Sequence, residues 1–183
     1  MLRRVSQTRI EKATSVFRRQ KSLWKNKQIS TTLKLRLYKS LVMSTMLYSA
    51  ELWPLSVVQK KKLEAGHHTF QRRILVISWK DKVSNERVGV QAQLEKLDLI
   101  IKERRLTWLG YVLRMDDNRL PRQAIFWGPS DTKRKPGRPR KNWTDTAQHD
   151  LKDIGMTWEE AQQLAVNRGA WRRSVAQCVF DTG

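Results

Sequence analysis

Three observations predict an all-α fold. Apolar residues recur at three- and four-residue intervals along most of the chain. Helix N-cap signatures stand ahead of these runs at Thr8-x-x-Glu11, Ser30, Ser56, Ser84 and Thr157-x-x-Glu160. Glycine and proline number only eight and five among 183 residues, too few for extensive β-hairpins. The expected order is a helical bundle over 1–55, a central helical region over 56–127, a basic Pro/Gly loop over 128–141 and a smaller set of C-terminal helices over 142–183.

The first helix is predicted behind Thr8 and Glu11. Ile10, Ala13, Phe17 and Trp24 share one face and Lys12, Arg18, Arg19 and Lys25 the other. A second helix starts after Ser30 with Leu33, Leu37, Leu41 and Tyr48 as its apolar stripe, and Pro54 limits it. Ser56 caps a third, carrying Val58, Leu63, Phe70, Ile74 and Leu75, with Gly66 interrupting the pattern. A short helix follows Ser84. Residues 97–115 carry two apolar stripes, Leu97, Ile101, Trp108, Val112 and Met115 beside Leu99, Leu106, Leu109 and Leu113. Such a helix is packed from two sides, and Arg105 between the stripes must be paired or lie at a rim. Beyond the loop, a helix closed by Gly155, one capped by Thr157 and one near Ala170–Val179 complete the chain.

The charge points to a polyanionic partner. The formal net charge is +20 and is unevenly spread. Residues 1–40 hold twelve Lys/Arg against one acid, and residues 101–141 twelve against four. Residues 41–100 are close to balance at nine against six, and 142–183 are slightly acidic at four against six. The densest cluster is "KRKPGRPRKNW", where Lys133, Arg134, Lys135, Arg138, Arg140 and Lys141 surround Gly137. Pro136 and Pro139 keep it extended, and Gly137 allows close backbone approach. It resembles the core of an AT-hook, a minor-groove binder. Pro136 stands where the first arginine beside the glycine is usual, so little base reading is expected. A phosphate-contacting or solvated linker, or a nuclear-import signal, fits the same residues.

The candidate contacts are thus Lys133, Arg134, Lys135, Gly137, Arg138, Arg140 and Lys141 in the loop and Arg18, Arg19 and Lys25 on the first helix. Of eight tryptophans, most fall on apolar stripes or at helix ends and suit packing. Trp127 and Trp143 flank the loop and are the candidates for base stacking.

Little catalytic chemistry is legible. Met115-Asp116-Asp117 matches the Asp pair of polymerases, where two carboxylates hold divalent cations. Here the pair follows a helix and no β-branched strand flanks it, so a linker that caps the helix containing Pro121 is the better reading. His67 and His68 are adjacent and diverge on a helix, His149 is isolated and Cys178 is the lone cysteine, so no metal site is expected. One cysteine allows no internal disulfide and suits a reducing compartment. No P-loop, G-x-S-x-G or G-x-G-x-x-G is present. The longest apolar-leaning run, "LVMSTMLYSAELW", is too short and polar to cross a bilayer.

Several stretches, in order, carry a family resemblance: "RIEKATSVFRRQKSLWKN", "STTLKLRLYKSLVMSTMLYSAELWPL", "KKLEAGHHTFQRRILVISWKDKVSNERV", "RRLTWLGYVLRM", "RLPRQAIFW" and "KRKPGRPRKNWTDT" with the "GMTWEEAQQLAVNRGAWRRSVA" that follows. Nearly the whole chain resembles the C-terminal part of the reverse transcriptase of LINE-type non-LTR retrotransposons, the endonuclease-reverse transcriptases. The resemblance implies thumb-like helices over 1–55, which grip a template–primer duplex, and then a post-palm extension. It implies RNA, DNA or an RNA–DNA hybrid as partner, through phosphate contacts. It implies no cofactor in this chain and magnesium in the palm of the parent polymerase. The palm and the endonuclease are expected upstream of Met1, making the chain a truncated copy, inactive by itself and nuclear or cytoplasmic. A stand-alone basic helical DNA- or RNA-binding or interaction protein is the alternative. Three positions depart from the family pattern: Gly66 replaces an aromatic, Ser49 the glycine of "Y-G-x-E-x-W", and Tyr111 the histidine before "V-L-R-M".

Overall fold

The chain, in a computed structural model, is described over residues 2–126 and 142–180, with side chains over 6–126 and 142–177. The basic loop residues Lys133 to Lys141 and Trp127 lie outside the described residues. Everything regular in the described residues is helical: α1 (Leu2–Arg19), α2 (Lys21–Lys25), α3 (Thr31–Leu37), a π-helical stretch (Tyr38–Met43), α4 (Ser44–Met46), α5 (Val57–Leu75), α6 (Asn85–Ala92), α7 (Leu97–Leu113), α8 (Leu120–Phe126), α9 (Trp143–Lys152), α10 (Trp158–Val166) and α11 (Arg168–Phe180), with 3₁₀ turns at Ala50–Leu52 and Trp79–Asp81. The fold divides into two compact units, Met1–Ala50 with Leu55–Ile100, and Glu51–Pro54 with Ile101–Gly183. No described helix is long and apolar enough to cross a membrane.

The local cap chemistry forms largely as the residues dictate. Ser30 accepts from the Leu33 amide, Ser84 from that of Arg87, and Ser56 and Thr157 close full capping boxes with Gln59 and Glu160. Gly155, at φ +69°, takes the left-handed conformation just beyond α9. Thr8 is the exception. α1 begins at Leu2, so Thr8 and Glu11 sit inside a helix, where Gln7 donates to Glu11 at 3.0 Å.

In the first unit, Ala13, Phe17 and Trp24 are buried and the cations beside them exposed. Phe17 stacks on Trp24 at 4.8 Å, and the Trp24 indole donates to the Phe17 carbonyl at 2.7 Å. The second stripe differs from expectation. Leu33, Leu41 and Tyr48 are exposed, while Leu35, Tyr38, Val42, Met46 and Ala50 are buried. The buried set is spaced three and then four residues apart and runs through the π stretch, whose i→i+5 bonds put more residues in each turn. Tyr48 instead lies under the Arg9 guanidinium, 4.5 Å from the ring centre.

α5 runs unbroken through Gly66, where a Cβ would meet Ile10 at an ordinary 3.6 Å, so the glycine does not interrupt it. Val58, counted in the apolar face of this helix, is exposed. Ser49 has φ +59°, the backbone region that glycine enters without penalty and a side chain enters at a cost.

The buried face of α5 also carries His67, only 1% exposed. Tyr38 Oη and His67 Nδ1 share a hydrogen bond at 2.6 Å, and Gln71 Nε2 meets His67 Nε2 at 2.8 Å. Burial, and next the neighbouring His68, pull the imidazole down from 6.5 to about 4, and burial pushes the Tyr38 hydroxyl up. The unfolded chain therefore takes up this proton first, and stability falls as pH drops from about 6.5 towards 4. The loss attributable to His67 should reach about 3 kcal/mol. Urea titrations of wild type and His67→Gln across that window measure it. Parallel curves for the two proteins would mean that His67 is hydrated in the folded chain.

In the second unit, Leu106, Leu109, Val112 and Leu113 of α7 meet Ile125, Ala147, Leu151, Ala161, Ala165, Trp171 and Val175. Both sequence stripes on α7 are used: Leu97, Ile101 and Val112 of one are buried, and so are Leu106, Leu109 and Leu113 of the other. Arg105 is 1% exposed and its Nη1 donates to Asp150 Oδ2 of α9, which resolves the choice between pair and rim.

Candidate nucleic-acid interface

Four helices of the first unit bring cations together. α1 ends on Arg18 and Arg19, and α5 carries Arg72 and Arg73 in its last turn, where the helix dipole favours positive charge. α2 is short and holds Trp24 inward, which leaves Lys21 and Lys25 exposed. Lys27 follows in the turn, and α3 adds Lys34, which is only 7% exposed.

All of these cations except Arg19 line one open groove of about 1000 Å³. Its walls hold seven cations, Arg18, Lys21, Lys25 and Lys27 on one stretch, then Lys34, Arg72 and Arg73, and no acid. Phe17, Trp24, Val76 and Ile77 supply apolar wall, and Ser78 closes the set. Such a groove suits a chain of phosphates: a mobile polyanion gains attraction from several sides at once, in a concave surface that focuses the field. Lys34 is nearly buried in this wall, and Arg72 spends part of its guanidinium on the Val83 carbonyl and Asn85.

Of the sequence candidates, Arg18 and Lys25 are in this groove. Arg19 is exposed and lines a shallower depression that shares Arg18 and also contains Glu11. Lys21, Lys27, Lys34, Arg72 and Arg73 were not singled out. The signal for the last two was the adjacent pair at the end of an apolar-periodic run, but the near-neutral count over 41–100 concealed it. Trp143 is half-buried: its indole donates to the Glu51 carbonyl at 2.6 Å and meets Trp108 edge-on at 4.8 Å.

Asp116 and Asp117 lie just past α7, both exposed. Asp117 accepts from Arg122 Nε at 3.1 Å, and Arg122 also donates to the Leu113 carbonyl that ends α7. Among the described residues no third carboxylate or histidine joins them in a ligand cluster. His149, Asp150 and Asp153 do converge, but Arg105 pairs with Asp150 and Lys102 with Asp153, at 3.1 Å for the latter. Two cations already neutralise the two carboxylates.

The chain is similar to a transposon-derived protein. That relative, an uncharacterised protein of Caenorhabditis elegans, is 26% identical over 149 residues, covering 74% of this chain and 53% of its own length. The chain thus spans about half the length of the curated relative it matches. No protein-family model matches the sequence, and no solved structure does. A transposon origin is what this likeness supports.

Proposed function

We propose that the chain is a nucleic-acid-binding, C-terminal portion of a LINE-type retrotransposon reverse transcriptase, which holds the sugar–phosphate backbone of RNA, DNA or their hybrid. Catalysis and its magnesium belong, on this reading, to the palm of the parent polymerase. The observation that carries it is the groove of the first unit, with seven cations and no acid in its walls. The transposon-derived relative supports the setting, and the order of motifs supports the family. The loop cations Lys133, Arg134, Lys135, Arg138, Arg140 and Lys141 would add contacts of the same kind.

Salt dependence tests the reading. If about six phosphates are neutralised, log affinity falls against log salt with a slope near −5 on duplex DNA and near −4 on single strands. Fluorescence anisotropy of labelled oligonucleotides reads the slope. The triple variant Arg18→Glu, Lys25→Glu, Arg73→Glu should weaken binding at least tenfold and flatten the slope by about 3 units. A wild-type slope near zero, or unaltered affinity in the triple variant, would rule the groove out as the binding site.

A further inference from the structure

Beside the groove stands an aromatic side chain with no structural duty. Trp79 is 83% exposed and follows directly on the wall residue Ser78. Val76, also in the wall, is 83% exposed and holds a left-handed φ of +58° despite its branched Cβ. A branched residue in that region is a true outlier, kept only where surrounding contacts impose it. Those contacts are present. The Ile77 amide donates to the Arg72 carbonyl at 2.9 Å, and Arg72 Nη2 donates to the Val83 carbonyl at 2.7 Å and to Asn85 Oδ1 at 2.9 Å. The Ser78 amide donates to Asp81 at 2.6 Å and closes a single 3₁₀ turn around Trp79. The segment is thus pinned at both ends and displays an indole to solvent one residue beyond the wall of a cationic groove. Its sole aromatic-face contact among the described residues is the Lys80 ammonium, 6.0 Å from the ring centre, a distant one.

We infer that Trp79 is a base-stacking residue and that the ligand of the groove is a single-stranded stretch of nucleic acid. The inference rests on the proposed function and narrows its substrate class. Phosphates of the strand occupy the groove, and an unpaired base next to them lies on the indole. An interior base of a duplex is already stacked on both faces and offers no surface to Trp79, so the indole favours unpaired strand. Charge complementarity argues for this occupant over an apolar protein partner, because Trp79 directly follows a residue of a wall that holds cations and no acid. RNA and DNA bases present the same π-face, so the stacking itself does not choose between them.

The test uses the full chain with labelled oligothymidylate, oligouridylate and a blunt duplex of equal length. Trp79→Ala should lose roughly tenfold on both single strands and less than twofold on the duplex, while Trp79→Phe keeps most of the affinity. The salt slope should not change in Trp79→Ala, because no cation is removed. A 2-aminopurine placed in the strand should be quenched by wild type and not by Trp79→Ala. Unchanged single-strand affinity in Trp79→Ala, or equal losses on strand and duplex, overturns the stacking role. Either result leaves the basic groove standing if the triple charge variant still fails to bind. A zero salt slope in wild type removes the groove and the stacking together.

Discussion

Asp150→Ala should destabilise the Ile101–Gly183 unit by about 3–5 kcal/mol in urea unfolding, the cost of leaving a buried charge without its partner. Arg105 is 1% exposed, in the middle of α7, and Asp150 on α9 is 6% exposed. Nη1 is bound to the Asp150 carboxylate, whereas Nε and Nη2 find no hydrogen-bond partner among the described residues. Without the carboxylate, the guanidinium must stay charged in an apolar setting or drag water inside. Replacing both residues, Arg105→Met with Asp150→Leu, removes the desolvation penalty along with the attraction. That double variant should come within about 1 kcal/mol of wild type or exceed it. A double-mutant cycle checks both statements. An Asp150→Ala loss below about 1 kcal/mol would mean that the pair is hydrated and contributes as little as a surface salt bridge.

Gly110→Ala should lower the stability of the same unit by about 2–4 kcal/mol. The substitution is ordinarily favourable inside a helix, by about 1 kcal/mol. Here the Trp171 indole lies across the glycine, and a Cβ would fall within 2.5 Å of its Cδ1 and Cε2 and closer still to Nε1. The ring has little room to move. Trp171 is 3% exposed, and its Nε1 donates to the Leu106 carbonyl at 3.1 Å. Overpacking costs about 1–3 kcal/mol and breaking the buried hydrogen bond a further 1–3, which outweighs the helical gain. Chemical denaturation gives the loss, and a change in near-UV circular dichroism should report the displaced indole. A Gly110→Ala protein more stable than wild type would show that propensity wins and that α11 can shift away from α7.

How much was legible depended on the reach of each interaction. Caps at Ser30, Ser56, Ser84 and Thr157 involve residues three apart, so the sequence carries all their partners. The same locality failed at Thr8, because a capping motif within a longer helical pattern looks no different from one at its start. The segment 33–50 contains two apolar stripes. Both follow three- and four-residue spacings, so the linear pattern does not choose the one that packs inward. Trp79 read as one more tryptophan at a helix junction, and its exposure belongs to the fold rather than to its neighbours in sequence.

The amino-acid sequence alone determined that the chain is helical, where most helices begin, that α7 is covered on two faces and that cations are in excess. Each of these follows from residue type and spacing over a few positions. Only the tertiary structure decided which cations act together, since Lys21 and Arg73 are far apart in the chain and share a groove because α1, α2, α3 and α5 pack around one aromatic core. It also chose Asp150 as the partner of Arg105, 45 residues away. Burial and charge proximity are properties of space, and a linear pattern fixes them only once the helices have docked.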